Sequence, residues 1–295
     1  MIRKNHKFVF RALPVILLPL IVSAQAATSK TSGEGLPKNF LWMYDDAKWG
    51  ISHHYLGHFD VLQTKSTEEW QHMTQNFDVA EYVRRVVQIN PGWVMFTTTQ
   101  NTGYLTVPSE VYGRKLTELG KSHDYISKRD LIKEIALALK PHGIRTMVYS
   151  PFPQPHFMRD PGEKQHLIED WWIDFHREMM KEWGDLISGW WFDGYGTGWN
   201  HNPNYDVWTK KMTDALESGN PNIAIAYSNA GRRGVKNQDT WEPDSDFGAG
   251  ERQMGYDLAY LLPGMSRVSQ TQAGTRIQTH DWLYVNARSD LYDVG

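Results

Sequence analysis

The sequence lacks cysteine entirely, and it also lacks a strong charge of either sign. Without cysteine the chain can form no disulfide, no thiolate metal ligand and no cysteine nucleophile, so its core alone must hold the fold together. The formal net charge is only −3, and acidic and basic residues are mixed along the chain. Nothing in this distribution resembles a nucleic-acid footprint or a basic membrane patch, and we expect neither partner.

Several familiar catalytic motifs are missing as well. The sequence contains no Gly-rich phosphate loop, no Gly-x-Ser-x-Gly nucleophile elbow and no His-Glu-x-x-His metal motif. His53, His54 and His58 lie close together in sequence. Adjacent residues of a strand point to opposite faces, however, so only one of His53 and His54 can enter a pocket. We therefore expect neither a metal nor a cofactor.

The amino-terminal segment predicts export. Residues 1–11 are basic, residues 12–24 are mainly apolar, and Ala24-Gln25-Ala26 has the small-x-small pattern that signal peptidases cut. The apolar run is shorter than the roughly 20 residues of a membrane-spanning helix. We expect a signal peptide over 1–26, a flexible leader over 27–40 and a catalytic domain over 41–295, in the periplasm or outside the cell. An uncleaved membrane anchor is the alternative.

The rest of the chain alternates between short apolar runs and segments of helical period. The five clearest strand candidates are 47–55, 93–98, 144–149, 187–192 and 223–227, and the helix candidates between them include segments starting near Asp78, Asp130, Ile168 and Tyr205. Such alternation favours βα units and a parallel sheet. We predict an α/β fold, a (β/α)8-type TIM barrel. Two weaker strands near 241–247 and 281–286 follow, but no eighth strand is visible, so the barrel could be open or incomplete at its C-terminal end.

The carboxyl ends of the strands should carry the chemistry, as they do in parallel barrels. Asp193 directly follows the apolar run Trp190-Trp191-Phe192, and Gly194 allows a tight turn behind it. Glycoside hydrolysis needs two carboxyl groups, one as nucleophile or base and one as proton donor. Asp193 is our candidate for the first role; the alternative is a helix cap or a structural hydrogen bond.

The second carboxyl group is harder to choose. Glu251 lies beyond a strand candidate, next to Arg252, and could equally be a solvated loop acid paired with that arginine. Glu242, Asp244 and Asp246 compete for the same role. Aromatic residues make up 13% of the chain, including 13 tryptophans, which suits either the stacking of sugar rings or an aromatic core.

Four segments, taken in order, resemble the α-L-fucosidase family, glycoside hydrolase family 29. They are Trp49-Gly50-Ile51-Ser52-His53-His54-Tyr55, Arg129-Asp130-Leu131, the strand from Gly143 to Ser150, and Trp191-Phe192-Asp193-Gly194. His54 and Tyr55 fall on the family's His-Trp pair, and Asp193 falls on its nucleophilic aspartate. The resemblance implies a retaining exo-glycosidase that forms a covalent glycosyl-enzyme and acts on terminal fucose or a related sugar of an oligosaccharide or glycoconjugate. In several members the acid/base lies in a region similar to that of Glu251.

One segment departs from the family pattern. Where the family has Lys-His-His-Asp-Gly-Phe, this chain has Thr99-Gln100-Asn101-Thr102-Gly103-Tyr104, whose amides can hydrogen-bond sugar hydroxyls but cannot be charged. This difference predicts an altered sugar specificity. The candidate substrate-binding residues are His53, His54, Tyr55, Gln100, Asn101, Tyr104, Trp191 and Asn229. A catalytically weak carbohydrate-binding barrel and an unrelated hydrolase on the same fold are the other interpretations.

Overall fold

The computed structural model describes residues 42–43, 47, 49–55, 66–100, 102–152, 155, 158, 168–193, 205–227, 246, 248–252 and 277–281, and for 205–206, 248–252 and 277–281 it describes the backbone alone. The predicted signal peptide and leader lie outside these residues. So do Asn101, Asn229, Glu242 and Asp244. The described residues belong to one compact unit, Gly35–Gly295. Among them, no helix is both long and apolar enough to cross a membrane.

The centre of the fold is a five-stranded parallel sheet with the strand order β1-β2-β3-β4-β5. Its strands are β1 Gly50–His53, β2 Trp93–Thr97, β3 Arg145–Pro151, β4 Ile187–Asp193 and β5 Ala224–Tyr227. The helices are α1 Thr67–Gln75, α2 Val79–Ile89, α3 Glu110–Glu118, α4 Leu131–Leu139, α5 Asp170–Trp183 and α6 Tyr205–Glu217. Two further parallel strands, β6 Gly248–Arg252 and β7 Ile277–Asp281, pair with each other. The predicted parallel α/β architecture is confirmed, while closure into an eight-stranded barrel stays a prediction.

Strands β2 to β5 are buried on both faces of the sheet, which explains why they are mainly apolar runs rather than alternating ones. On the helix-covered face, side chains such as Phe96, Val148 and Trp190 join the large core formed with the helices. The opposite face, called the inner face here, carries a second cluster of side chains, including Met95, Met147, Tyr149 and Trp191. Successive residues of each strand alternate between the two faces. This alternation decides which rim residues can meet.

Glycine is required at the start of β1. A Cβ atom on Gly50 would lie 2.0 Å from Cδ2 of Trp93, its register partner on β2. The indole of Trp93 therefore occupies the space that any larger residue would need. The glycine of the first motif is explained by this close packing.

Helix caps account for the Arg-Asp-Leu motif. Asp130 is the N-cap of α4, accepting a hydrogen bond from the backbone N of Lys133, and it also accepts one from Trp183 Nε1 at 2.8 Å. Arg129 Nη1 donates to the carbonyl oxygens at the end of α1, those of Thr74, Gln75 and Phe77, while its guanidinium pairs with Glu134. The motif thus joins α1, α4 and α5 on the helix-covered side of the sheet.

Candidate active site

Asp193 is the last residue of β4, the strand between β3 and β5. It shares the inner face with Trp191, because alternate residues of a strand point the same way. Its register partner is Pro151 at the end of β3, and its carbonyl oxygen accepts a hydrogen bond from the backbone N of Phe152. The carboxylate is partly exposed at the carboxyl edge of the sheet. This is the position that the sequence predicted for it.

Tyr149 is the side chain that meets the Asp193 carboxylate from the neighbouring strand. Its hydroxyl donates a hydrogen bond to Asp193 Oδ2. The same hydroxyl oxygen accepts a hydrogen bond from Gln100 Nε2 at 2.8 Å. A continuous row of hydrogen bonds therefore runs from Gln100, three residues beyond β2, through Tyr149 of β3 to Asp193 at the end of β4.

The sequence did not predict a site role for Tyr149, whose neighbour Ser150 lies on the opposite face of the strand. Ser150 points to the helix-covered face, where its hydroxyl lies 3.0 Å from His176 Nε2. Tyr149 is only 1% exposed and belongs to an apolar run, where the sequence alone does not distinguish it from a core residue. The register identifies it: Pro151 is the partner of Asp193, and Tyr149, two residues earlier on β3, lies on the same face.

His54 lies beside this row of hydrogen bonds. It follows β1, and its ring is edge-on to that of Tyr149, with 4.5 Å between the ring centroids. The sequence predicted that only one of the adjacent histidines could enter a pocket, and His54 is the one on the inner face. The structure thus brings His54, Gln100 and Asp193 together around Tyr149.

His53 points the other way. Its Nδ1 is hydrogen-bonded to the hydroxyl of Tyr82 on α2 at 2.8 Å, and the two rings meet edge-on. Burial lowers the pKa of His53 to about 4, so the imidazole is neutral near neutral pH. His53 therefore lies on the helix-covered face, apart from Asp193.

Tyr55 and Tyr104 are also on the helix-covered side. Tyr55 packs among Phe77, Phe96 and Trp70. Tyr104 is only 2% exposed and stacks on Trp70, with the ring of Tyr125 stacked at 4.8 Å. Burial raises the pKa of Tyr104 to about 12. Both candidates lie in the aromatic core, and neither is grouped with Asp193.

Trp191 is on the inner face but fully buried. It precedes Asp193 by one full strand repeat, so its indole lies deeper in the sheet than the carboxylate. In this position it packs beneath the site and supports the strand end.

Two of the candidate acids fall on described residues. Glu251 lies in β6 with its backbone in register with His280 of β7. Asp246 lies against the β5 backbone: its Oδ2 accepts a hydrogen bond from the N of Ile225 at 2.8 Å, and its own N donates to the Ile225 carbonyl at 2.7 Å. The Asp246 carboxylate is therefore bound to the backbone of the sheet.

Charged ligands for a metal do not converge in this region. Among the side chains that the structure describes, no three or more His, Asp or Glu residues form a group able to hold a metal ion. The arrangement around Asp193 is instead a carboxylate with a phenol donor, an imidazole nearby and an amide at the rim. Such a site suits nucleophilic or hydrogen-bonding chemistry.

Solved structures with a similar fold include α-L-fucosidases, although no protein-family profile and no curated protein sequence matches the chain. A fucosyltransferase mutant of the α-L-fucosidase AlfC, an enzyme of Lactobacillus casei, aligns with a TM-score of 0.51 and 16% identity over 88% of this chain and 97% of that chain. An AlfC mutant in complex with 4-nitrophenyl-α-L-fucopyranoside gives 0.51 and 15% over 87% and 97%. A family 29 α-L-fucosidase from Bacteroides thetaiotaomicron gives 0.50 and 14% over 86% and 71%.

The chain has an α-L-fucosidase-like fold. Identities of this size establish the fold alone, and one fold can serve many functions. An activity has to be argued from the site itself.

Proposed function

We propose that the protein is a retaining exo-glycoside hydrolase of the α-L-fucosidase type, with Asp193 as its nucleophile. The observation that carries this proposal is the Asp193 carboxylate at the carboxyl edge of β4, held by the Tyr149 hydroxyl, on an α-L-fucosidase-like fold. A hydrogen bond donated to a carboxylate favours its charged form, which is the nucleophilic one. The same bond fixes the orientation of the carboxylate before substrate arrives.

The reaction proceeds in two displacements. A carboxylate oxygen of Asp193 attacks the anomeric carbon while a second carboxyl group gives its proton to the departing glycosidic oxygen, and a glycosyl ester forms on Asp193. The second group, now ionised, takes a proton from water as that water attacks the anomeric carbon. The ester bond breaks, the sugar leaves and both carboxyl groups return to their starting states.

We assign the acid/base role to Glu251 in preference to Asp246. An acid/base must exchange its proton with the leaving group, and the backbone hydrogen bond between Asp246 Oδ2 and Ile225 N ties that carboxylate to β5. Glu251 lies in β6, a few residues further along the chain. Glu242 and Asp244 remain the other candidates.

The substrate in this proposal is a terminal fucose or related sugar of an oligosaccharide or glycoconjugate. His54, which lies next to Tyr149, is the best placed described residue to bind sugar hydroxyls. Asn101 and Asn229, which follow β2 and β5 in sequence, are proposed to act with it. We propose packing roles for His53, Tyr55, Tyr104 and Trp191. Export to the periplasm or the exterior, where such glycans occur, is part of the same proposal.

A carbohydrate-binding barrel with little activity is the second candidate. The observation that favours it is the uncharged segment Thr99–Tyr104, whose Asn101 amide can hydrogen-bond sugar hydroxyls. A binding protein would need the sugar contacts but not the nucleophile. The experiment below separates the two.

The test is hydrolysis of a panel of aryl glycosides, α-L-fucoside included, by the mature protein and by Asp193→Ala and Asp193→Gly variants. We expect one glycoside to be cleaved, with activity falling by about 10³-fold or more in both variants, since the nucleophile is lost. Azide should partly restore activity in Asp193→Gly by attacking in place of the carboxylate. A folded protein that binds glycans but cleaves no aryl glycoside would support the binding barrel instead.

A further inference from the structure

The side-chain amide of Gln100 makes a hydrogen bond to another residue of the candidate site. Gln100 follows β2, is partly exposed, and donates from Nε2 to the Tyr149 hydroxyl oxygen at 2.8 Å. Tyr149 is buried between Gln100 and Asp193. Gln100 therefore reaches the carboxylate through the phenol.

We propose that Gln100 is a positioning residue for the nucleophile, acting through Tyr149 rather than by binding the sugar. This inference rests on the proposed function, in which Asp193 is the nucleophile. The sequence suggested that Gln100 binds substrate, whereas this proposal assigns it to positioning Asp193. It also proposes a role for a residue that differs from the family's Lys-His-His-Asp-Gly-Phe segment.

The direction of each hydrogen bond follows from the chemistry of the groups. An ionised carboxylate only accepts, so the single hydroxyl hydrogen of Tyr149 is committed to Asp193. The Tyr149 oxygen can then only accept from Gln100, which must present its NH₂ group. Each donor in such a chain polarises the next, and so the Gln100 amide strengthens the bond from the phenol to the carboxylate.

The ionisable groups at the Gln100–Tyr149–Asp193 hydrogen bonds lie on or after three different strands. Tyr149 at the end of β3 bonds Asp193 at the end of β4. The imidazole of His54, after β1, lies edge-on to the Tyr149 ring and is the other titratable group placed here among the described residues. Because His54 also titrates, a pH profile must be compared between variants rather than read from one protein.

Two substitutions separate positioning from mere space filling. Gln100→Met keeps the length of the side chain and removes the donor. Gln100→Glu keeps the shape and replaces the donor with a carboxylate that accepts. In Gln100→Glu the Tyr149 hydroxyl hydrogen is drawn towards residue 100, so the bond to Asp193 is lost.

The decisive experiment is a double-mutant cycle between Gln100→Met and Tyr149→Phe, measured on the aryl glycoside that the protein cleaves. We expect Gln100→Met to lower kcat/KM by about 3- to 10-fold, mostly through kcat, and to move the acidic limb of the pH profile upward. Gln100→Glu should lower it further. In the Tyr149→Phe background, Gln100→Met should change neither quantity.

A sugar-binding role gives a different pattern. If Gln100→Met raises KM equally in the unsubstituted protein and in the Tyr149→Phe variant, then Gln100 contacts substrate and the inference is overturned. Gln71→Met is the matched control, because Gln71 Nε2 also makes hydrogen bonds, to the carbonyl oxygens of Asp124 and Ile126, but far along the chain from Asp193. It should leave the pH profile unchanged.

A second measurement does not depend on activity. The Asp193 carboxyl carbon is followed by ¹³C NMR during a pH titration, its signal being the one lost in Asp193→Asn. We expect its titration midpoint to rise in Gln100→Met and to be insensitive to Gln100→Met in the Tyr149→Phe background. An unchanged midpoint in Gln100→Met overturns the inference. A protein with this coupling but no glycosidase activity would instead overturn the proposed function alone.

Discussion

Asp193 and Asp246 show how differently two carboxylates of one sheet can be used. Asp193 ends β4 and meets a phenol hydroxyl at the rim, whereas Asp246 accepts from a backbone amide of β5. The first arrangement leaves Asp193 partly exposed at the carboxyl edge of the sheet. The second satisfies a backbone donor at the sheet, which is a structural task. The two side chains are chemically identical, and it is their hydrogen-bond partners that distinguish them.

At the residue scale, the assignment of the acids predicts opposite outcomes for two matched variants. Asp246→Ala should destabilise the protein by about 1–3 kcal/mol, because the backbone donor Ile225 N loses its partner. Glu251→Gln should leave stability nearly unchanged, since it is isosteric, and should lower kcat on substrates with poor leaving groups by about 10²-fold or more. Urea denaturation and kinetics on aryl glycosides measure the two effects. A stable Asp246→Ala protein with lost activity would reverse the assignment.

At the scale of elements, helix α5 holds the end of β3 from the helix-covered side. Trp172 Nε1 donates to the carbonyl of Pro151 at 3.3 Å. His176 is fully buried, with Nδ1 at 2.7 Å from the carbonyl of Trp172 and Nε2 at 3.0 Å from Ser150 Oγ. The carbonyl can only accept, so Nδ1 carries the proton and Nε2 accepts from Ser150. The neutral imidazole thus ties α5 to the strand that carries Tyr149.

This tether makes stability depend on pH. Burial lowers the pKa of His176 from 6.5 to about 3, so the unfolded chain takes up a proton at a higher pH than the folded protein does. The stabilising contribution is full above about pH 6.5 and is lost as the pH falls towards about 3, by up to about 1.4 kcal/mol per pH unit. The lowered pKa of His53 acts with the same sign.

Thermal melting between about pH 7 and about pH 5 measures this dependence. We expect the melting temperature to fall less steeply in His176→Gln than in the unsubstituted protein, because glutamine keeps a polar group near Ser150 but does not titrate. His142→Gln, at an exposed position, is the control and should keep the original slope. Equal slopes in all three proteins would show that His176 does not carry the effect.

The elements themselves were largely predictable from the sequence. The five strands of the central sheet fall within or beside their predicted segments. For β2 to β5 the reason is that both faces are buried, so that each of these strands is a mainly apolar run. Helix α2 is capped by Asp78, as the sequence predicted, and α4 begins close to its predicted start. Helices α1 and α3 were missed, although Ser66 and Glu69 form a capping box before α1 and Ser109 caps α3. Their apolar patterns are short, and the polar caps were the stronger indication.

Side-chain contacts between neighbouring strands were harder to predict from the sequence than the positions of the strands themselves. Asp193 could be placed from its own strand, but its partner Tyr149 depends on the register between β3 and β4. The faces of His53 and His54 likewise depend on which side of β1 the helices cover. Tyr55 and Tyr104 matched a motif or a rim position, yet they pack in the aromatic core. These distinctions arise from tertiary packing, which a local pattern does not specify.

At the scale of the whole molecule, the fold and the site support each other. The parallel sheet brings the ends of β1 to β4 to one edge, and the inner face selects His54, Tyr149 and Asp193 from those ends. Asp193 lies at the carboxyl end of β4, the edge at which parallel α/β barrels carry their chemistry. The central claim is therefore that Asp193 forms a covalent bond to the sugar.

The most direct measurement is mass spectrometry after reaction with an activated 2-deoxy-2-fluoro analogue of the sugar that the aryl-glycoside panel selects. The fluorine disfavours the positively charged transition state, so the ester should form and then hydrolyse slowly. The account predicts one fluoro-sugar attached to the protein, located by peptide mapping at Asp193, and none in the Asp193→Ala variant. Rapid turnover without an adduct, or an adduct on any other residue, would contradict it.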